Sequence, residues 1–577
     1  MQKLISLIGC LLLFLNILAQ EDSTYQRPNI VLILADDVAL MDFGVYGGEA
    51  ATPNIDRLAT RGTMFTNYHA SPMCAPSRAM LLTGVDNHLT GVPNLPLFLP
   101  QEYKNRPGYE GILNDKVKTL ATRLKSIGYN TYMTGKWHLG HTPNTLPSKR
   151  GFDRTYILNA SGADNFEHKP YLPIQRKPPW YADGKLVDLP EDFYSSKFLV
   201  DRMMNFMEEE TEKDKPFFAY LAFQAIHLPI QAPKEFIEKY LGVYDKGWGD
   251  LKTQRFERAK MLDLIPATAK LGEMLPVLDK WESLSADAKK MASKNMAVNA
   301  GMLEAMDFHI GRYLAYLQKN GKLENTVFIV TSDNGPEAST PLLVKGMSLW
   351  MKTLGGYNID YETLGEKGSF AFIGPEFASA AAGPSAYFKF YAGEGGLRVP
   401  MIISGANLPV GQKKKAFSYI TDVVPTVLEI VQAPMATDAT GRSLLPVILN
   451  EKENIYRNDE PIGMEAAGQA ALFKGENKLV RSGKPYGDGI WRLFNIANDP
   501  GEVNDLALTQ SSLFKNMMTD YENYVKKYKV LEMPEDYEVV KEVENTFWRD
   551  IKRKVTPWLV GLVVGIVFLI WWRRRKK

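Results

Sequence analysis

The sequence predicts a large doubly wound α/β domain with a mixed, mostly parallel sheet, followed by a smaller C-terminal α+β domain. Three observations carry this. Asn29 to Ala35 reads NIVLILA, an unbroken apolar run between polar residues, the pattern of a strand buried on both faces. Phe217 to Ala225 and Thr326 to Val330 repeat it. Helical spacings lie between these runs, so strands alternate with helices as βαβ units require.

Taken in order, the chain opens with Lys3, an apolar run and Ala19, which predict a secretory signal peptide over residues 1–20. Leu7 to Cys10 loosely follow a lipobox, but apolar residues continue past Cys10 where a lipobox should close the run. The main α/β domain spans 27–430. Within it, Val117 to Ile127 has helical spacing, Gly128 suits a C-terminal cap, and a strand follows near Asn130 to Met133. Residues 232–300 are charged and helix-prone and read as a surface excursion. Residues 337–388 are rich in Gly, Ala, Ser and aromatics, have no clear period, and read as a long insertion.

Beyond Ile430 short strands and turns appear, then a polar helix from about Ser511, which places the smaller domain at 431–535. A linker is expected at 536–554. Val555 to Trp572 is apolar apart from Thr556, at the short end of the ~17–25 residues that span a bilayer. Trp558, Trp571 and Trp572 sit where interfacial aromatics belong, and residues 573–577 are all cationic. A membrane helix at 555–572 with a cytoplasmic tail is expected, and an exported, periplasmic or extracytoplasmic body. Gly561 and Gly565 form a GxxxG pair, a pattern of helix dimers, so a homodimer stays open.

The net charge of +2, with no basic run in the body, argues against nucleic acid as a partner. There are two cysteines, Cys10 in the leader and Cys74. The mature chain therefore has no intramolecular disulfide, and its stability rests on a large core.

Doubly wound sheets bind ligands outside the carboxyl ends of their strands. The first strand runs into Asp36 and Asp37. Alone, that pair reads as a solvated turn. The strand at Thr326 runs into Asp333 and Asn334, again turn chemistry by default. Together the four are hard oxygen donors that suit Ca²⁺ or Mg²⁺. GKWHLG offers Lys136 and His138 two residues apart, and FQAIHLP offers His227 just past a strand. KFYAGEGGLRVP offers Lys389 beside three glycines; by itself it is a tight turn. The other histidines, at 69, 88, 141, 168 and 309, read as structural or surface. Pro76 suits the first turn of a helix, which puts Cys74 at a helix N-terminus where N–H groups attract anions, with Arg78 one turn in.

Cys74-Ala75-Pro76-Ser77-Arg78, then three residues and Leu82-Thr83-Gly84, resembles the C-x-P-S-R-x-x-x-L-T-G signature of type I sulfatases of the alkaline phosphatase superfamily. ADD before it and GKWHLG, QAxHxP, SDNG and EGGxRVP after it co-occur in family order, and the resemblance covers residues 27–525. It is nearest to bacterial arylsulfatases. It implies an alkaline-phosphatase-like fold and a sulfuric ester hydrolase. It also implies that Cys74 is oxidised to Cα-formylglycine by a formylglycine-generating enzyme. Asp36, Asp37, Asp333 and Asn334, with modified Cys74, would hold one Ca²⁺, rather than Mg²⁺. Arg78 would steady the aldehyde hydrate. Lys136, His227 and Lys389 would grip the sulfate. One hydroxyl of the gem-diol would attack sulfur, His227 or Lys389 would protonate the leaving group, and His138 would take the proton that lets sulfate leave. Phe390 departs from the glycine of many relatives, but the five-residue step from Lys389 to Glu394 is kept. Aryl, steroid or polysaccharide sulfates are the implied substrates. Phosphate or phosphonate monoesters are the alternative, and an inactive tethered binding protein is a third reading that the complete residue set disfavours.

Overall fold

The computed structural model describes residues 26–103, 106–140, 142–173, 177–534 and 537–575. The expected signal peptide, Cys10 and His141 lie outside the described residues.

Among the described residues, eleven short strands come first in the main body: β1 Asn29–Ala35, β2 Gly62–Phe65, β3 Tyr68–His69, β4 Asn130–Lys136, β5 Arg154–Leu158, β6 Trp180–Ala182, β7 Lys185–Val187, β8 Phe217–Ala222, β9 Thr326–Ser332, β10 Met401–Gly405 and β11 Gln412–Lys414. All but β3 join one sheet in the order β11-β2-β10-β9-β1-β8-β4-β5-β6-β7. The central five, β9-β1-β8-β4-β5, run parallel. β10 is antiparallel to β9, and β6 and β7 make an antiparallel edge.

The apolar run at β1 is unbroken because both faces are covered. Val31 and Ile33 enter one core with helices Ser195–Glu209 and Ala286–Lys319. Ile30, Leu32 and Leu34 enter the other with helices Cys74–Thr83, Leu120–Lys125 and Val423–Ile430. The helix expected over Val117–Ile127 starts later, because the Thr119 hydroxyl caps it by accepting the Thr122 N–H at 3.1 Å.

The excursion expected over 232–300 is corrected in its last part. Ala286–Lys319 is a 34-residue helix that buries Met296, Met302, Met306, Ile310 and Leu317 on the sheet. Methionine and alanine supply its apolar stripe, and the charges of its first turns hide the period. The insertion over 337–388 folds into short turns and helices. Met347, Met351, Tyr357 and Phe370 pack there with Tyr171 and Leu228, so these aromatics make a core of their own.

The C-terminal sheet is antiparallel: β13 Ile462–Ala466, β14 Gln469–Lys474, β15 Asn477–Arg481 and β16 Arg492–Asn495, after the two-residue β12 at Ser418–Tyr419. Its side chains alternate. Ala470, Leu472, Leu479 and Leu493 pack on helix Ser511–Tyr528, whereas Ala471, Phe473, Val480 and Phe494 pack on the main body. His88 ties the two parts, 3.1 Å from Asp86 and 2.8 Å from Glu465.

The last helix runs from Val539 to Arg575. The segment expected as a linker is therefore helical from Val539 onward, continuous with the apolar stretch. Thr556–Arg575 is long and apolar enough to cross a membrane.

Candidate active site

Four neighbouring parallel strands deliver side chains to one edge of the sheet. β1 ends in Asp36 and Asp37, β9 in Asp333 and Asn334, and β4 in Lys136; β8 leads two residues on to Gln224 and then to His227. Glycine at 135 is required by the crowding of β4 on β8: a Cβ there would fall 1.8 Å from the Ala222 carbonyl oxygen. Across the edge lies helix Cys74–Thr83, all ten of its residues buried, with Cys74 as its first residue. Met73 provides no side-chain cap, so the first amides are available to an anion.

These elements close on each other through charge. Arg78 donates through Nε to Asp333 Oδ2 at 2.8 Å and through NH1 to the Lys136 carbonyl at 2.9 Å. Lys136 Nζ lies 2.6 Å from Asp36 Oδ2. Lys389 Nζ lies 2.8 Å from Asp37 Oδ1 and 2.6 Å from Glu337 Oε2. Asn334 Nδ2 donates to Asp37 Oδ1 at 2.7 Å. His227 Nδ1 contacts the Leu228 carbonyl at 2.7 Å, which makes that nitrogen the protonated one and leaves Nε2 facing Asp37 and Glu337 at 3.9 and 4.0 Å. All ten residues expected at the site come together here. His138 is less enclosed than the rest, and its Nδ1 has no hydrogen-bond partner among the described residues.

Burial dominates the proton affinities. It pushes the Asp37 carboxyl up to about 8, with the Lys389 ammonium opposing and Asp36 assisting. It raises Asp333 too, helped by the Asp36 charge. Burial, then the Lys136 and Lys389 charges, drive the His227 imidazole well below its ordinary value. Burial and Lys136 do the same to His138. The Cys74 thiol is pushed up by burial, so it is not a resting thiolate.

Glu337 is the residue that sequence reasoning missed. Burial opposes its ionisation, yet the Lys389 ammonium and the His227 ring hold it down to about 2. It stands four residues after Asp333 in SDNGPE, and that spacing was the only available signal.

A cation fits this cluster. The ligand atoms of Asp36, Asp37, Cys74 and Asp333 lie within 4.8 Å of one another. Asp36 Oδ1 and Asn334 Oδ1 are buried and accept no hydrogen bond among the described residues, leaving lone pairs of the kind a hard cation takes. Four buried carboxylates, Asp36, Asp37, Asp333 and Glu337, face three buried fixed cations, Arg78, Lys136 and Lys389.

Residues 28–433 match the sulfatase family model. The chain belongs to the sulfatase family. The ten-stranded sheet and the smaller C-terminal domain are the alkaline-phosphatase-like architecture, and the sulfatase is an enzyme that hydrolyses sulfate esters. It is 34% identical over 536 residues to an uncharacterized sulfatase of Schizosaccharomyces pombe, covering 89% of this chain and 96% of that one. It is 35% identical over 428 residues to an arylsulfatase of Klebsiella aerogenes, covering 73% and 90%. Among solved structures, Ps i-CgsB in complex with k-i-k-neocarrahexaose superposes with a TM-score of 0.63 at 26% identity, covering 91% of the sulfatase and 98% of that chain.

Proposed function

We propose that the sulfatase hydrolyses sulfate monoesters with residue 74 as Cα-formylglycine and one Ca²⁺ held by Asp36, Asp37, Asp333, Asn334 and residue 74. The observation that carries this reading is the meeting of three strand-end carboxylates with Cys74 at one point. As formylglycine, residue 74 would supply a hydrated aldehyde, with one hydroxyl available to attack sulfur and a second whose deprotonation would let sulfate leave. A cation held by these residues would supply the charge that makes such a hydroxyl acidic near neutral pH.

The chain's own residues do the rest. Lys136 and Lys389 bind the sulfate oxygens and offset charge as it builds on the transferring group. Arg78 holds residue 74 and Asp333 in register. His227 rests neutral because burial, and then the charges of Lys136 and Lys389, oppose its protonation. A bound sulfate ester offsets those charges, so the ring takes a proton at Nε2 only with substrate present and hands it to the leaving oxygen. His138 takes the proton of the second hydroxyl. The charge count favours sulfate over phosphate: with all four carboxylates ionised around a divalent ion, the buried set and the ion would together carry +1, which matches a monoanionic ester.

Sulfated glycans are the proposed natural substrates, a reading supported by the structural neighbour Ps i-CgsB, solved in complex with k-i-k-neocarrahexaose. The body is proposed to work outside the cytoplasm, tethered through Thr556–Arg575.

Two measurements test this. The mass of the peptide carrying residue 74 is expected ~18 Da below the cysteine form, since –CH₂SH becomes –CHO. Aryl sulfate is expected to turn over faster than aryl phosphate. A peptide that is wholly cysteine in active enzyme, or a preference for phosphate, overturns the reading. His227→Gln is expected to lower kcat by ~10²-fold or more on sugar sulfates, whose leaving groups need a proton, and by much less on nitrophenyl sulfate. Equal losses on both would remove His227 as the proton donor.

A further inference from the structure

Lys478 is a lysine where the fold would accept a hydrocarbon. It lies on β15, on the sheet face that packs on the main body with Phe473, Val480 and Phe494, and its side chain is fully buried. Burying an ammonium in such a layer costs more than burying methionine unless its partners are well placed. The partners are Glu394 Oε1 and Glu502 Oε1, both at 2.8 Å. Glu394 Oε2 also meets His69 Nε2 at 3.0 Å, and the Glu394 N–H donates to Glu502 Oε2 at 2.8 Å. The C-terminal domain thus grips Glu394 twice, at its carboxylate and at its backbone.

Glu394 belongs to the segment that forms one wall of the active site. Lys389 lies five residues upstream, and its N–H donates to the Pro336 carbonyl at 3.1 Å. The Phe390 N–H donates to the Pro72 carbonyl at 2.8 Å, two residues before Cys74. Phe390 has φ of 75°, so this peptide is turned out of the ordinary path to make that bond. The Gly335 N–H donates to the Gly396 carbonyl at 3.0 Å, and a Cβ on Gly335 would fall 1.8 Å from the Gly395 carbonyl oxygen. Asn334 and Cys74 are therefore one and two residues from a contact with this segment, and Lys389 lies within it.

We propose that Lys478 and Glu502 are positioning residues: the C-terminal sheet holds Glu394 so that the segment from Lys389 to Gly396 sets the sulfate-binding geometry. The inference rests on the reading that Lys389 grips the sulfate. It assigns the C-terminal domain a share of catalysis although, among the described residues, no side chain of that domain is hydrogen-bonded to Cys74, Lys389 or the strand-end carboxylates.

The test is Lys478→Met in the full chain, which keeps the length and removes the charge, with residue-74 conversion matched by peptide mass. On aryl sulfate, kcat/KM per folded molecule is expected to fall at least ~10-fold, with inhibition by inorganic sulfate weakened to a similar degree. Glu502→Gln, which keeps the shape of the site, is expected to fall a few-fold in the same direction. Unchanged kcat/KM and sulfate inhibition in Lys478→Met, with only a lower thermal midpoint, overturns the proposal. If Lys478→Met does not fold, Glu502→Gln decides alone: a loss upholds positioning and wild-type kinetics overturn it. Lys389→Ala measured alongside separates this inference from the reading beneath it. Unchanged sulfate inhibition in Lys389→Ala sinks the role of Lys389. A loss there with none in Lys478→Met sinks only the positioning role.

Discussion

Replacing Cys74 with alanine is expected to abolish turnover of aryl sulfate, a loss of at least ~10⁴-fold, as when other enzymes lose a nucleophile. The fold is expected to survive. Alanine is a good residue for the first turn of the helix Cys74–Thr83, and among the described residues the thiol's hydrogen bonding is limited to a long contact, 4.0 Å from Sγ to Asp37 Oδ1. Circular dichroism and the thermal midpoint check the fold while the assay reads turnover. Cys74→Ser gives a sharper reading. One hydroxyl attacks sulfur, but there is no second hydroxyl to release sulfate, so at most one equivalent of alcohol should appear before the enzyme stops. Residual steady turnover by either variant means the nucleophile lies elsewhere.

Asp333→Asn is expected to have the next largest effect, lowering kcat/KM by ~10²–10³-fold, of the order found on removing one preorganised electrostatic contact. Asp333 touches both things that matter: its Oδ2 accepts from Arg78 at 2.8 Å, and its Oδ1 accepts the Asp37 N–H at 3.2 Å. Losing the Arg78 pair lowers stability by itself, so activity alone cannot assign a metal. The deciding readout is the shift of thermal midpoint on adding Ca²⁺ to chelator-treated protein. Wild type is expected to rise, because a ligand bound only by the folded state stabilises it, and Asp333→Asn to rise far less. An equal rise in both proteins, or wild-type activity that survives chelation, removes the cation from this cluster.

These expectations draw on features that differ in how visible they are. Asp36, Asp37, Asp333 and Asn334 were legible because each follows an apolar run short enough to be a buried strand, and the ends of such strands are where a doubly wound sheet opens to ligands. Cys74 and Arg78 were legible from a dense local motif. Glu337 was not, because a carboxylate in a turn reads as solvated until Lys389, 52 residues later in the chain, is placed against it. The helix Ala286–Lys319 was misread because its apolar stripe is built from methionine and alanine among charges.

The sequence by itself determined the strand–helix alternation, the donors at the strand ends and the helix N-terminus that carries Cys74. Each of these is written within a dozen residues, by apolar period or by local spacing. Only the tertiary structure decided that Glu337 would sit between Lys389 and His227, and that Lys478 would be buried against Glu394, 84 residues away. The reason is physical: whether a charged side chain faces water or a partner depends on what packs over it. The partner that makes burial tolerable comes from another part of the chain, so no local pattern can announce it.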